Sequence, residues 1–256
     1  MFTAGGYADG PIGFRVYGLW PGSSDQAVVV WSGDGRLTAV VIGSELGTRR
    51  TGALGAVAVD VLARSEAVQV GLIGSGAQAW SQLWAIRAVR PVARVTVFSP
   101  IESHRLEFAA RARSELGIDS GAVSEPAEAV RGADILVLAT RSQSPVIDAS
   151  WVEPGTHVNT VGPKTRSGHE TPPELASRAS VVVSDAPGQA AAYGEPFFTP
   201  RPLQHLGRFL VGRPPTRGPD EITLYCSTGL AGSEVVIADA LVRAAGQSDS
   251  GSRTPA

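Results

Sequence analysis

The chain has 256 residues, 43% hydrophobic and 18% charged, enough to bury the core of one large or two modest domains. A formal net charge of −2 offers no electrostatic basis for a nucleic-acid partner or an acidic membrane surface. Cys226 is the only cysteine, which excludes an internal disulfide; with no signal peptide in residues 1–6 and no apolar run of membrane-spanning length, a cytoplasmic setting is expected.

Residues 1–12 are rich in Gly and Pro and read as loop. Strands follow at 13–18 and 27–31, Ser32-Gly33-Asp34-Gly35 is a hairpin signal, and 37–42 is the returning strand. From 45 to 64 the apolar period turns helical, with Leu54, Val57, Ala58, Val61 and Leu62 on one face. Next comes the most informative stretch, Val68-Gln69-Val70-Gly71-Leu72-Ile73-Gly74-Ser75-Gly76-Ala77-Gln78-Ala79. An apolar run stops at a G-x-G-x-x-A turn and a helical pattern begins at once, the arrangement a dinucleotide-binding turn requires. Gly74 allows the tight turn, Gly76 lets backbone approach a pyrophosphate, and Ala79 keeps the helix close to the strand. The N–H groups opening the helix, around Ala77 and Gln78, offer partial positive charge to phosphate.

Strands and helices then alternate as a parallel sheet demands: strand 94–98, helix 102–116, and strands 134–139, 157–162 and 180–184. Residues 194–220 read as an ordered connection, 222–226 as a further strand, 233–245 as the last helix, and 247–256 as a disordered tail. The expected fold is α/β, a Rossmann-type parallel-sheet domain over 56–229 with a partial β-rich domain from 1–55 and 230–256. Ligands of such sheets sit beyond the carboxyl ends of the strands, which groups the loops after Ile73, Phe98, Ala139 and Val161.

The chain resembles the ornithine cyclodeaminase/μ-crystallin family over nearly its whole length. Thr48-Arg49-Arg50-Thr51-Gly52-Ala53, the glycine stretch, Ala133-Asp134-Ile135, Ala139-Thr140-Arg141-Ser142 and Pro154-Gly155-Thr156-His157-Val158-Asn159-Thr160-Val161-Gly162 carry the likeness. Leu206-Gly207, Val211-Gly212-Arg213 and Ser227-Thr228-Gly229-Leu230-Ala231 complete it. The resemblance implies a homodimer, a nicotinamide nucleotide, and a β-rich domain for substrate binding and dimerisation. Relative to the family pattern the chain starts late, without an arginine that grips the substrate carboxylate. Arg15 stands where a lysine is expected, and Lys164 follows Gly162-Pro163 where the proton-transferring aspartate belongs. These departures point away from ornithine cyclodeamination.

Candidate residues follow. Ser99, not Asp or Glu, ends the second parallel strand, so nothing repels a 2′-phosphate, and Arg105 is placed to pair with one. NADP(H) is therefore favoured over NAD(H); the alternative is a surface loop with an incidental arginine. The resemblance gives Thr140, Asn159, Val161 and Ser227 to the nicotinamide and its ribose, although each reads equally as a turn residue. It gives Arg50 to a substrate carboxylate; the structural alternative is an ion pair with Glu45 or Asp60. Arg15 is either a substrate contact or the solvent-facing half of a strand.

Lys164, the only lysine, is assigned as the proton donor on the expectation that repulsion from Arg15 and Arg50, with partial burial, lowers its pKa. Otherwise it is an exposed loop lysine. His157 reads as structural, Cys226 as a core residue, and His169 and Glu170 receive no role. No His/Cys/Asp spacing supports a metal. The expected activity is hydride transfer to or from a small anionic imino, amino or keto acid. The alternatives are a cyclodeaminase-type lyase with bound NAD and a non-catalytic nucleotide-binding protein.

Overall fold

The computed structural model describes residues 2–5, 10–18, 25–192, 198–199, 201–211, 217–230 and 232–250. Gly212, Arg213 and Ala231 of the sequence motifs, and residues 251–256 of the tail, lie outside them. The elements begin β1 Phe2–Gly5, β2 Ile12–Tyr17, β3 Gln26–Trp31, β4 Leu37–Ile42, α1 Glu45–Leu62, β5 Gln69–Ile73 and α2 Ala77–Ile86. They continue β6 Arg94–Phe98, α3 Glu102–Leu116, β7 Asp119–Ala122, α4 Pro126–Val130, β8 Ile135–Leu138, β9 His157–Thr160 and α5 Pro173–Arg178. The last are β10 Val181–Ser184, α6 Pro187–Ala192, β11 Gln204–His205, α7 Arg208–Val211, β12 Thr223–Cys226 and α8 Ser233–Ser250. The chain divides into two compact units, residues 1–50 with 230–256, and residues 51–229.

In the first unit, β1 to β4 form an antiparallel sheet in sequence order. The expected loop at 1–12 is corrected here: Phe2–Gly5 pairs with β2, ladder hydrogen bonds overriding the local glycine signal. Two-residue alternation sends Val28 and Val30 to one face, where they pack with Leu46, Val235 and Ala238. The register puts Ile12, Phe14, Val16, Val29, Trp31, Val40 and Ile42 on the other face. Val40 is 52% exposed there and Ile42 80%.

The second unit holds an eight-stranded parallel sheet in the order β11-β10-β12-β9-β8-β5-β6-β7. The chain leaves β5 toward β6 and β7, then returns to β8 on the opposite side, so the switch in direction lies between β5 and β8. The strands read as continuous apolar runs because helices cover both faces. Ile135 and Val137 of β8 pack with Leu83, Ile86 and Phe108, while Leu136 and Leu138 pack with Val158, Leu175 and Leu224. The sequence reading missed β7 and β11, whose residues Asp-Ser-Gly-Ala and Gln-His carry no apolar pattern. They exist because a neighbouring strand offers an edge.

Candidate functional site

Beyond the carboxyl end of β5 the chain turns at Gly74, where φ is 110° and an added Cβ would lie 2.4 Å from the Ala139 carbonyl oxygen. Only glycine fits so close to the end of β8. Gly76 is the N-cap of α2 and supplies no side-chain cap, so the first N–H groups of the helix lack that partner. A Cβ added at Gly76 would meet nothing within 4 Å. The protein itself therefore does not demand glycine there; the bare backbone faces open space. Gly76, Ala77, Gln78, Ala139, Thr140, Arg141, Val161 and Gly162 line a cleft of about 170 Å³ at the β5/β8 switch point. Five of the predicted residues (Gly76, Ala77, Gln78, Thr140 and Val161) are thus brought together. Gln78 Oε1 is buried without a hydrogen-bond partner.

The wall of the cleft is held by a residue the sequence reading passed over. Residues 163–170 double back, with Thr165 N–H donating to the Gly168 carbonyl and Glu170 N–H to the Pro163 carbonyl. This returns Glu170, fully buried, under the ends of β8 and β9. No local pattern marks it, because a lone Glu in a polar loop looks solvent-exposed until the chain path is known.

Lys164 lies on the same excursion, paired as a bridge with His169, and its Nζ donates to the Gly162 carbonyl. It is 9% exposed. Burial lowers its pKa from the usual lysine range, and neighbouring Glu170, Cys226 and Asp185 oppose that shift. The expected cause is therefore corrected: burial, not repulsion from arginines, lowers the lysine pKa.

The other predicted residues fall elsewhere. Ser99 is buried just past β6, and its carbonyl accepts from Arg105 Nη1 at 3.1 Å. Arg105 also lies 3.9 Å from Glu102. Ser227 follows β12, its N–H donating to the Thr160 carbonyl at 3.0 Å. Asn159 sits within β9 and not at its end. Its Nδ2 donates to the Gly55 carbonyl and Gln82 Oε1, and its Oδ1 lies 2.9 Å from His157 Nε2, so the side chain is occupied inside the core. His157 is fully buried and its pKa is lowered to about 3, chiefly by desolvation. Burial pushes the Cys226 thiol up to about 12, leaving no thiolate near neutral pH.

In the first unit, Arg15 shares the face of Val28 and does not point to solvent. Its Nη1 and the Nη2 of Arg50 each lie 2.5 Å from Glu234 Oε1. The acid beside Arg50 is thus Glu234, while Glu45 pairs with Arg49 and Asp60 with Arg90. Two guanidinium groups on one carboxylate leave an excess positive charge. Nε of Arg15 and both Nε and Nη1 of Arg50 are buried without a hydrogen-bond partner.

A larger cleft of about 550 Å³ opens at the amino ends of the strands, lined by Arg64, Arg90 and Arg217 among others. Arg90 and Arg217 there donate to the carbonyls that end α1 and to Gly155 and Glu221, which marks a helix cap. Among the described residues no group of His, Cys, Asp and Glu is arranged to hold a metal, and no helix is long and apolar enough to cross a membrane.

A doubly wound parallel sheet, with a glycine turn feeding a helix at its switch point, defines a Rossmann-type α/β protein. The chain belongs to the ornithine cyclodeaminase/mu-crystallin family, whose model matches residues 20–248. It is 34% identical over 198 residues to an alanine dehydrogenase of Archaeoglobus fulgidus, covering 74% of this chain and 60% of that protein. It is 33% identical over 216 residues to a Delta(1)-pyrroline-2-carboxylate reductase of Bacillus cereus, covering 80% and 66%. The crystal structure of the iminosuccinate reductase of Paracoccus denitrificans in complex with NAD+ matches with a TM-score of 0.82 at 29% identity, covering 93% and 78%. The chain thus spans less than two thirds of the length of the first two relatives.

Proposed function

We propose that this protein is a nicotinamide-dependent oxidoreductase acting on a small imino, amino or keto acid. The observation that carries the reading is the Gly74–Gly76 turn, its bare backbone and uncapped helix start facing an open cleft beyond a parallel sheet. Such a helix end suits a pyrophosphate, and the orphaned Gln78 Oε1 is an acceptor suited to a ligand donor. The bound nicotinamide would supply or accept the hydride. The relatives named above are a dehydrogenase and two reductases, which supports the same chemistry.

The protein's own residues supply charge and a proton. Lys164, held on the Gly162 carbonyl and easier to deprotonate through burial, donates a proton to the substrate nitrogen or oxygen as hydride reaches the adjacent carbon. In the first unit, the unsatisfied N–H groups of Arg50 and the excess charge beside Glu234 favour an anion, in keeping with a carboxylate-bearing substrate. Ser99 just past β6, with Arg105 anchored on its carbonyl, favours NADP(H) over NAD(H), since the strand does not end in the carboxylate that would oppose a 2′-phosphate. The exposed apolar face of the first unit supports a homodimer; an intact chain that sediments as a monomer refutes that assembly.

The test is the absorbance change of NADPH and NADH with a panel of cyclic imino acids and α-keto acids. Turnover with at least one substrate, and tighter binding of NADPH, is expected. Binding of both nucleotides with no turnover across the panel would replace this reading with a nucleotide-dependent binding protein.

A further inference from the structure

The Glu170 carboxylate accepts hydrogen bonds from five donors. Oε2 takes the Thr140 N–H and hydroxyl, both at 2.8 Å. Oε1 takes the Thr160 hydroxyl at 2.8 Å, the Val161 N–H at 3.0 Å and the Gly162 N–H at 2.6 Å. All five donors belong to the last residue of β9 or to residues just beyond the ends of β8 and β9; the Val161 N–H also reaches the Leu138 carbonyl at 2.9 Å, whereas the Thr140 and Gly162 N–H groups lie past the ladder and need another acceptor. Thr140, Val161 and Gly162 also line the cleft. A carboxylate has about four lone-pair positions, so this one is saturated and has no acceptor position left for a substrate. Gly162 completes the fit, since an added Cβ would lie 2.4 Å from Glu170 Oε2.

We infer that Glu170 is the positioning residue of the nucleotide cleft, tying the ends of β8 and β9 into one rigid wall. The inference rests on that cleft being the nicotinamide-nucleotide site. Glu170 holds the Gly162 N–H while Lys164 holds the carbonyl of the same residue, so one peptide segment is fixed from both sides. Without the carboxylate, at least the Thr140 and Gly162 N–H groups lose their acceptor, and the wall is free to spread.

Glu170→Gln keeps the shape but replaces one acceptor oxygen with an NH₂ donor facing N–H groups. Titration calorimetry of NADPH and NADH against the full chain and this variant is the test. A rise of about tenfold in the nucleotide Kd is expected, the scale of losing a hydrogen bond to a charged group, with stoichiometry unchanged. A partly unfolded sample would instead lower the stoichiometry and leave Kd alone. Hydrogen exchange should show faster exchange at the Thr140 and Gly162 amides and unchanged protection at Leu136 and Val158. Thr160→Val removes one of the five donors and should move Kd and exchange the same way by less, which keeps the question open to test should Glu170→Gln fail to fold. Wild-type Kd and protection in both variants, or a fall in stoichiometry alone, overturns the inference. If neither nucleotide binds the wild-type chain, the cofactor reading falls, and amide exchange still judges the clamp.

Discussion

The role proposed for Lys164 rests on its surroundings. Its position follows from the Gly162 carbonyl beneath it, and its lowered pKa from burial, with Glu170, Cys226 and Asp185 limiting the shift. A proton donor must be protonated, so activity should fall as pH rises through the lysine pKa. Because that pKa lies below the usual lysine range, the fall comes at lower pH than an exposed lysine would give. Lys164→Arg keeps the charge but cannot release a proton near neutral pH, and should lower kcat by about 100-fold, the low end for general acid catalysis. A variant that retains wild-type kcat and pH profile removes Lys164 from the chemistry. At this scale the glycine turn and the cleft beside it were legible, because Gly74, Gly76 and Gln78 sit in one short window. Glu234 was not, since its partners Arg15 and Arg50 lie 219 and 184 positions away, and Glu170 was not, since only the return of its loop brings it to the donors at the strand ends.

Among elements, α1 and α2 show what a helical pattern reveals and what it hides. The apolar face through Leu54, Ala58 and Leu62 was readable, and it packs with Val183, Leu206 and Tyr225. Gly52 and Gly55 let α1 lie against α2. An added Cβ at Gly55 would stand 2.0 Å from Gln82 Oε1, and one at Gly52 would stand 2.3 Å from the Ser81 carbonyl oxygen. Gln82 cannot withdraw freely, because its Nε2 donates to the Thr51 carbonyl and its Oε1 accepts from Asn159. Gly55→Val should therefore cost about 3 kcal/mol, the upper range for overpacking, read as a lower urea midpoint with an unchanged m-value. Gly188→Ala in α6, where an added Cβ meets nothing, should leave the midpoint equal or raise it slightly. If the two variants unfold alike, the close approach of α1 and α2 has no energetic weight. The long periodic elements were legible for the same reason that β7 and β11 were not: a burial pattern is written into residues that supply burial, not into short strands recruited by an edge.

For the molecule as a whole, stability should carry an acid weakness traceable to the polar layer between α1 and the sheet. His157, Asn159, Gln82 and Thr223 are fully buried there and hydrogen-bonded to one another or to carbonyls of α1. The layer holds His157 neutral, with a folded pKa of about 3 against an ordinary value of 6.5. A depressed pKa means that the unfolded chain takes up the proton first as pH falls. The contribution of His157 is therefore fully present above pH 6.5 and is lost progressively between 6.5 and about 3. Over the step from pH 6.5 to 5 the loss should be roughly 2 kcal/mol, at about 1.4 kcal/mol per pH unit. The surface carboxyls of Asp34, Glu66 and Asp148, whose pKa values are lowered by hydrogen bonds, begin to weaken the fold only below their ordinary values of 3.8 to 4.5. A loss that starts above pH 5 thus separates the buried histidine from those acids. Urea unfolding at pH 7 and pH 5 measures it, with His157→Gln as the comparison. The variant should be less stable at pH 7 yet lose less stability on acidification, because it has no imidazole to protonate. Equal wild-type stability at the two pH values would mean that the unfolded chain gains no proton on His157 over that interval, and the buried neutral histidine would cease to explain any acid sensitivity of the fold.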